Sequence, residues 1–311
     1  MSDERPTVRP VTLARLVESA HACEGSPRTT SEFETQLEVS HRRARETILE
    51  AERIGFVDTA SRESDGSDEK SYVTTRIGEQ FLAAVREEIW EDASAVLETW
   101  SPHYSALLSA VKEVEPASLD TVLDELEATA EFTPYTYNRT SVEVLGDWAE
   151  RLGRIQRNAF AGTYYCVSRG TIPRSFGQFL LTVYDDLEET AGISLRQRYL
   201  SIPRLREHVC EQVGCTRAAF DDALVALVGQ NVGKLELSGA PIDTGAKDAA
   251  LGIKTMSRSD SDGLVSTAQS TEQVMAGVEQ FGKQYYYLAV HDRDLMYDPP
   301  ASDDTNTKTD V

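Results

Sequence analysis

Apolar residues recur at helical spacing along most of this chain, and short strand-like runs interrupt them at intervals. Leu13, Leu16, Val17 and Ala20 fall on one helical face, with Pro10 and Thr12 suited to its start, which predicts a first helix. Thr29 with Glu32 three residues on has capping-box spacing, and Phe33 and Leu37 follow, giving a short second helix that ends near Val39. A third helix, SHRRARETILEAERIG, carries Arg42, Arg43 and Arg45 in its first two turns and Ile48, Ala51 and Ile54 towards its end, where Gly55 suits a left-handed stop. Phe56-Val57 and SYVTT at 71–75 then read as strands.

The pattern recurs. Residues 51–55 read AERIG and residues 149–153 read AERLG, each closing a helix-like segment before a strand-like one. In the middle copy, His103 to Val114 forms a first helix, Leu119, Val122, Leu123 and Leu126 mark a second, and Thr140 with Glu143 is expected to cap a third with Leu145, Trp148 and Leu152 inward. TYYCV at 163–167 supplies the second strand. A looser third copy has helices opening at Ile202 and after Thr216, then GKLELSG at 233–239 as a strand with QYYYLAV at 284–290 as its partner. The helix at 176–191 is expected to join copies two and three, and the polar end after residue 297 to be disordered.

Three helices followed by a hairpin is the order of the winged helix-turn-helix family, and residues 11 to about 87 resemble it, with TTRIGEQFLAA at 74–84 similar to the T-x-x-G run that leaves the wing in many such regulators. The resemblance implies a mainly α protein with small β-hairpin wings, built as tandem winged-helix domains over 1–90, 91–175 and 176–297, the third with a long wing insert. It further implies that helix three enters the major groove of double-stranded DNA and that the wing touches the backbone or minor groove. The first wing, DTASRESDGSDEK, departs from this, since Arg62 and Lys70 are its only basic residues.

Charge changes the picture. The chain has 311 residues and a formal charge of −21, with 52 acidic residues against 31 basic, of which 7 are Lys and 24 Arg. This composition resembles that of haloarchaeal proteins, in which molar salt shrinks the Debye length to roughly 3 Å and dense carboxylates repel little; the alternative is an ordinary acidic protein that avoids nucleic acid. On the first reading net acidity does not exclude DNA, and only local charge counts. Residues 151–184 contain Arg151, Arg154, Arg157, Arg169 and Arg174 and no Asp or Glu, with Phe160, Tyr164 and Tyr165 interleaved. That run either meets nucleic acid or pairs with carboxylates such as those in 87–131. The other DNA-binding candidates are Arg42, Arg43 and Arg45, beside His41; Arg196, Arg198, Arg204 and Arg206 form a weaker set.

Enzyme motifs are wanting. GQNVGK at 229–234 lacks phosphate-loop spacing and its Ser or Thr, and Cys210 and Cys215 with His208 lack a second ligand pair, so they read as core rather than metal ligands. No nucleophile has a base beside it, no cofactor is expected, and no apolar run reaches the roughly 18 residues of a membrane span. The four cysteines read as reduced thiols and the opening residues lack an apolar signal core, which makes a cytoplasmic location the expectation. Two functions remain: a non-enzymatic DNA-binding protein, acting as a transcriptional regulator or as a subunit of a larger assembly, or a scaffold that binds protein partners through tandem winged helices.

Overall fold

The computed structural model describes residues 6–60, 70–131, 133–168, 172–190, 199–239 and 271–299. They form a mainly helical protein with small antiparallel sheets, divided into two compact units: residues 6–157 with 163–166, and residues 158–162 with the described part of 167–299.

The first unit opens with α1 (Leu13–Ala22), β1 (Arg28–Thr29), α2 (Thr30–Gln36) and α3 (His41–Ile54), followed by β2 (Val57–Thr59), β3 (Ser71–Thr74) and α4 (Arg76–Arg86). Thr29 caps α2 in a full capping box: its hydroxyl accepts from Glu32 N at 3.3 Å and the Glu32 carboxylate accepts from Thr29 N at 2.8 Å. β3 lies between β1 and β2 in the sheet, with Arg28 opposite Tyr72 and Asp58 opposite Val73. The T-x-x-G run has a local cause. Thr75 caps α4 by accepting from Gly78 N at 3.2 Å and donates to the Gly55 carbonyl, while a Cβ on Gly78 would lie 2.3 Å from the Phe56 carbonyl oxygen. The glycine lets α4 close on the end of α3, and Phe56 and Phe81 stack there with centroids 4.4 Å apart.

α5 (Trp90–Trp100) leads into α6 (Pro102–Val114), α7 (Leu119–Ala130), α8 (Arg139–Arg151), β4 (Ile155–Arg157) and β5 (Tyr164–Cys166). A single bridge between Ala117 and Tyr164 stands where β1 stands earlier, so Ala117, β5 and β4 line up in the order seen for β1, β3 and β2. The repeated AER(I/L)G ends match bond for bond. Gly55 and Gly153 both take left-handed φ, 85° and 66°, and the next amide reaches back to Ala51 O at 2.8 Å in one copy and to Ala149 O at 2.9 Å in the other. The cap expected from Thr140 is instead Asn138, which forms a reciprocal pair with Ser141; its side-chain oxygen accepts from Ser141 N at 2.9 Å, two residues earlier along the chain than expected.

One hydrophobic core runs through this whole unit, from Val8 through Leu16, Ile48 and Phe81 to Leu107, Leu126 and Trp148. The middle copy's third helix is packed inside it. Residues 141–151 of α8 are all buried or half-buried, and Trp148, fully buried as its apolar face implied, donates to Val11 O at 2.9 Å. A buried polar network adds to the joint: the Glu50 carboxylate accepts from Arg53 Nη2 at 2.5 Å and Arg9 Nη1 at 3.3 Å, Arg53 donates to His103 Nδ1 at 3.1 Å, and His103 Nε2 donates to Pro6 O at 2.8 Å.

The second unit contains α9 (Phe176–Thr190), β6 (Leu200–Ser201), α10 (Ile202–Val213), α11 (Arg217–Gln230), β7 (Leu235–Ser238), α12 (Thr271–Met275), β8 (Val278–Gln280), β9 (Lys283–Tyr285) and β10 (Tyr287–Val290). Its sheet order, β6-β10-β7, repeats the same pattern. The assignment of its helices shifts by one from the sequence reading. α9, expected to be a connector, packs on α10 and β6 and opens the copy, with Phe176 against Phe220 at 5.7 Å. β6 is two residues long and too short to leave a periodic signal. The strand expected at 284–290 is divided, its first residues pairing with β8 and the rest, from Tyr287, with β7.

Candidate nucleic-acid interface

The amphipathic pattern of α3 decides which of its arginines face outward. Ala44, Thr47, Ile48, Ala51 and Ile54 turn into the core, which leaves Arg42, Arg43 and Arg45 exposed on the first turns. Arg42 pairs with Glu46 on its own helix at 3.1 Å, with a side chain 86% exposed. Arg43 and Arg45 make no ion pair with a described residue. His41 Nδ1 meets Glu34 at 3.0 Å. Three guanidinium groups on a helix start oppose the helix dipole, and here they do so without being used for internal packing.

The arginine run after α8 is different. Arg151, 13% exposed, pairs with Asp147 at 2.9 Å. Arg154 donates to Ser94 Oγ at 3.2 Å and to Glu98 at 3.1 Å, so its partner lies in the 87–131 carboxylates that the sequence offered as the alternative to nucleic acid. Arg157 is half-buried with its guanidinium 5.5 Å from the centre of the Tyr164 ring. Tyr164 and Tyr165 are buried, and burial pushes the Tyr164 hydroxyl up to about 12 despite the neighbouring cation. Their rings are core, not stacking platforms. Arg174 is exposed in the turn before α9, in the second unit, and Arg169 lies outside the described residues.

In the second unit the weaker arginine set is divided. Arg204 is exposed, but Arg206 is 1% exposed, bonded to Asp221 at 2.7 Å and to the carbonyls of Val274 and Ala276 at 3.0 Å each. Arg217 is buried in a two-point pair with Glu207, at 2.5 and 2.9 Å. Arg196 and Arg198 lie outside the described residues, as does Arg62 in the first wing. The exposed residues of α11 are Ala218, Asp222, Gly229 and Gln230, which carry no positive charge.

Other chemistry expected from the sequence resolves locally. Cys210 and Cys215 are both buried with sulfurs 3.8 Å apart, and burial raises the Cys210 thiol well above its ordinary value. Among the described residues no group of three or more His, Cys, Asp or Glu could hold a metal ion, and no helix is long and apolar enough to cross a membrane. Comparison of the chain with protein-family models, with curated proteins and with solved structures finds no match.

Proposed function

We propose that this chain is a DNA-binding protein built of three winged-helix copies, in which α3, the third helix of the first copy, is the one recognition helix that reads the duplex. The observation that carries the proposal is the exposed trio Arg42, Arg43 and Arg45 on the opening turns of the third helix, where the resemblance expects base and phosphate contacts. Supporting it is the order helix, short strand or single bridge, helix, helix and two antiparallel strands, the later of them central, which occurs three times, in the last copy with α12, β8 and β9 inserted between the two strands. The third helices of the other copies differ: residues 141–151 of α8 are packed, and α11 exposes no basic residue. Duplex contact through the middle wing loses support, because Arg151 and Arg154 are paired within their own unit. Fluorescence anisotropy with a labelled mixed-sequence duplex tests the reading: saturable binding with a finite log–log salt slope supports phosphate contact, and absence of binding by the folded protein refutes it.

A scaffold function is the second reading. It is favoured by a groove of about 780 Å³ on the first unit, lined by Ser105, Ala106 and Ser109 of α6 together with Glu113, Glu125 and Tyr135. Such a groove suits a protein segment better than a phosphate backbone, since its charges are negative.

A further inference from the structure

The hairpin of β8 and β9 holds an aromatic side chain out into solvent. Its two turn residues are Phe281 and Gly282, with φ of 52° and 69°, the paired left-handed geometry of a two-residue hairpin. Glycine takes that geometry freely, whereas a bulky aromatic residue there is uncommon. Phe281 is 89% exposed, although transfer of such a ring into an apolar setting is favourable.

The base of the hairpin is held firmly. Val274 and Val278 are each 1% exposed, and the buried Arg206 guanidinium grips the Val274 and Ala276 carbonyls at 3.0 Å while Asp221 fixes its other edge at 2.7 Å. A planar donor fork of this kind orders the backbone it binds. The backbone that carries the ring is therefore held on an ordered support, which lowers the backbone ordering cost of docking.

The flanking residues indicate what it docks into. Gln280 faces Lys283 across the hairpin, and by strand alternation both lie on the face opposite Glu279 and Gln284. Val278, on that same face, is buried, so Lys283 is the exposed residue that face offers next to the tip, in a chain with only 7 Lys, while Glu279 is exposed on the other face. An exposed ring with an exposed cation near it in the hairpin matches an aromatic wedge entering stacked bases edged by phosphates. We infer that the β8–β9 tip is a second DNA contact, in which Phe281 wedges between base pairs of a duplex and Lys283 meets a phosphate. This rests on the DNA-binding reading but not on α3.

The test uses the full chain and a duplex carrying 2-aminopurine, whose emission rises when stacking is lost. Wild type should bind and raise the emission. Phe281→Ala should bind about tenfold more weakly, the loss expected for one aromatic–base stack, and raise it little, while Phe281→Trp should keep the affinity and show quenched Trp emission on binding. Because the side chain is exposed, neither substitution threatens the fold. If wild type binds and Phe281→Ala matches it in affinity and emission, the wedge is refuted and the α3 reading stands, leaving a protein pocket as the tip's docking class. If wild type binds no duplex, both fall together.

Discussion

Arg154 and Glu98 meet at 3.1 Å across 56 residues of sequence, joining the start of β4 to α5. This ion pair gives a counter-charge to an arginine that the local sequence, free of acidic residues, leaves unmatched. Arg154→Ala should therefore leave duplex affinity unchanged. Both side chains are a third or more exposed, so the loss of stability in urea should stay below about 1 kcal/mol. A fall in affinity comparable to that of an α3 substitution would return the middle wing to the DNA interface.

Glu50 is the opposite case, a carboxylate with no exposure between Arg9 and Arg53. Removing it leaves two nearly buried guanidinium groups without their counter-charge. Glu50→Ala should destabilise the first unit by about 3–5 kcal/mol, read as a lowered urea midpoint. A change under about 1 kcal/mol would mean the network contributes little.

Gly78 tests why α4 closes where it does. A methyl group there would lie 2.3 Å from the Phe56 carbonyl oxygen, which is backbone and has little room to yield. Gly78→Ala should cost about 1–3 kcal/mol by overpacking, even though alanine favours a helix more than glycine does. A stabilised variant would show that the approach of the two backbones is looser than described.

Glu24 should give a pH signature. Hydrogen bonds from Arg86 and His21 hold its carboxyl down to about 2 from an ordinary value of 4.5. Between those values the unfolded chain binds more protons than the folded one, so this contribution to stability is present above about pH 4.5 and is lost as the pH falls towards 2. Carbon-detected NMR should place the Glu24 midpoint near 2, and Arg86→Ala should move it back up. A wild-type midpoint at the ordinary value would contradict the pairing.

Much of this architecture can be read along the chain because its signals are local. The AERIG and AERLG ends specify the same left-handed stop, Thr29 and Glu32 specify their capping box, and the inward faces of α1 and α3 follow helical spacing. What cannot be read is non-local or very short. β6 spans two residues and the strand before α7 is a single bridge at Ala117, so neither has a period; that hid the role of α9. The candidate site divides in the same way. Exposure of Arg42, Arg43 and Arg45 follows from their own helix, whereas burial of Arg206 depends on carbonyls about 70 residues later. The one available sign for Phe281 was an aromatic residue before a glycine between strand-like runs.

The most direct test of the central claim compares wild type with the triple variant Arg42→Ala, Arg43→Ala, Arg45→Ala in a salt titration of duplex binding, from the lowest salt at which both stay folded. Every arginine that meets a phosphate in the wild type should account for about 0.9 of the log–log slope. The triple variant should therefore bind more weakly, with a slope shallower by up to about 2.7. A triple variant with wild-type affinity and slope would contradict duplex reading by α3 and leave the scaffold reading in its place.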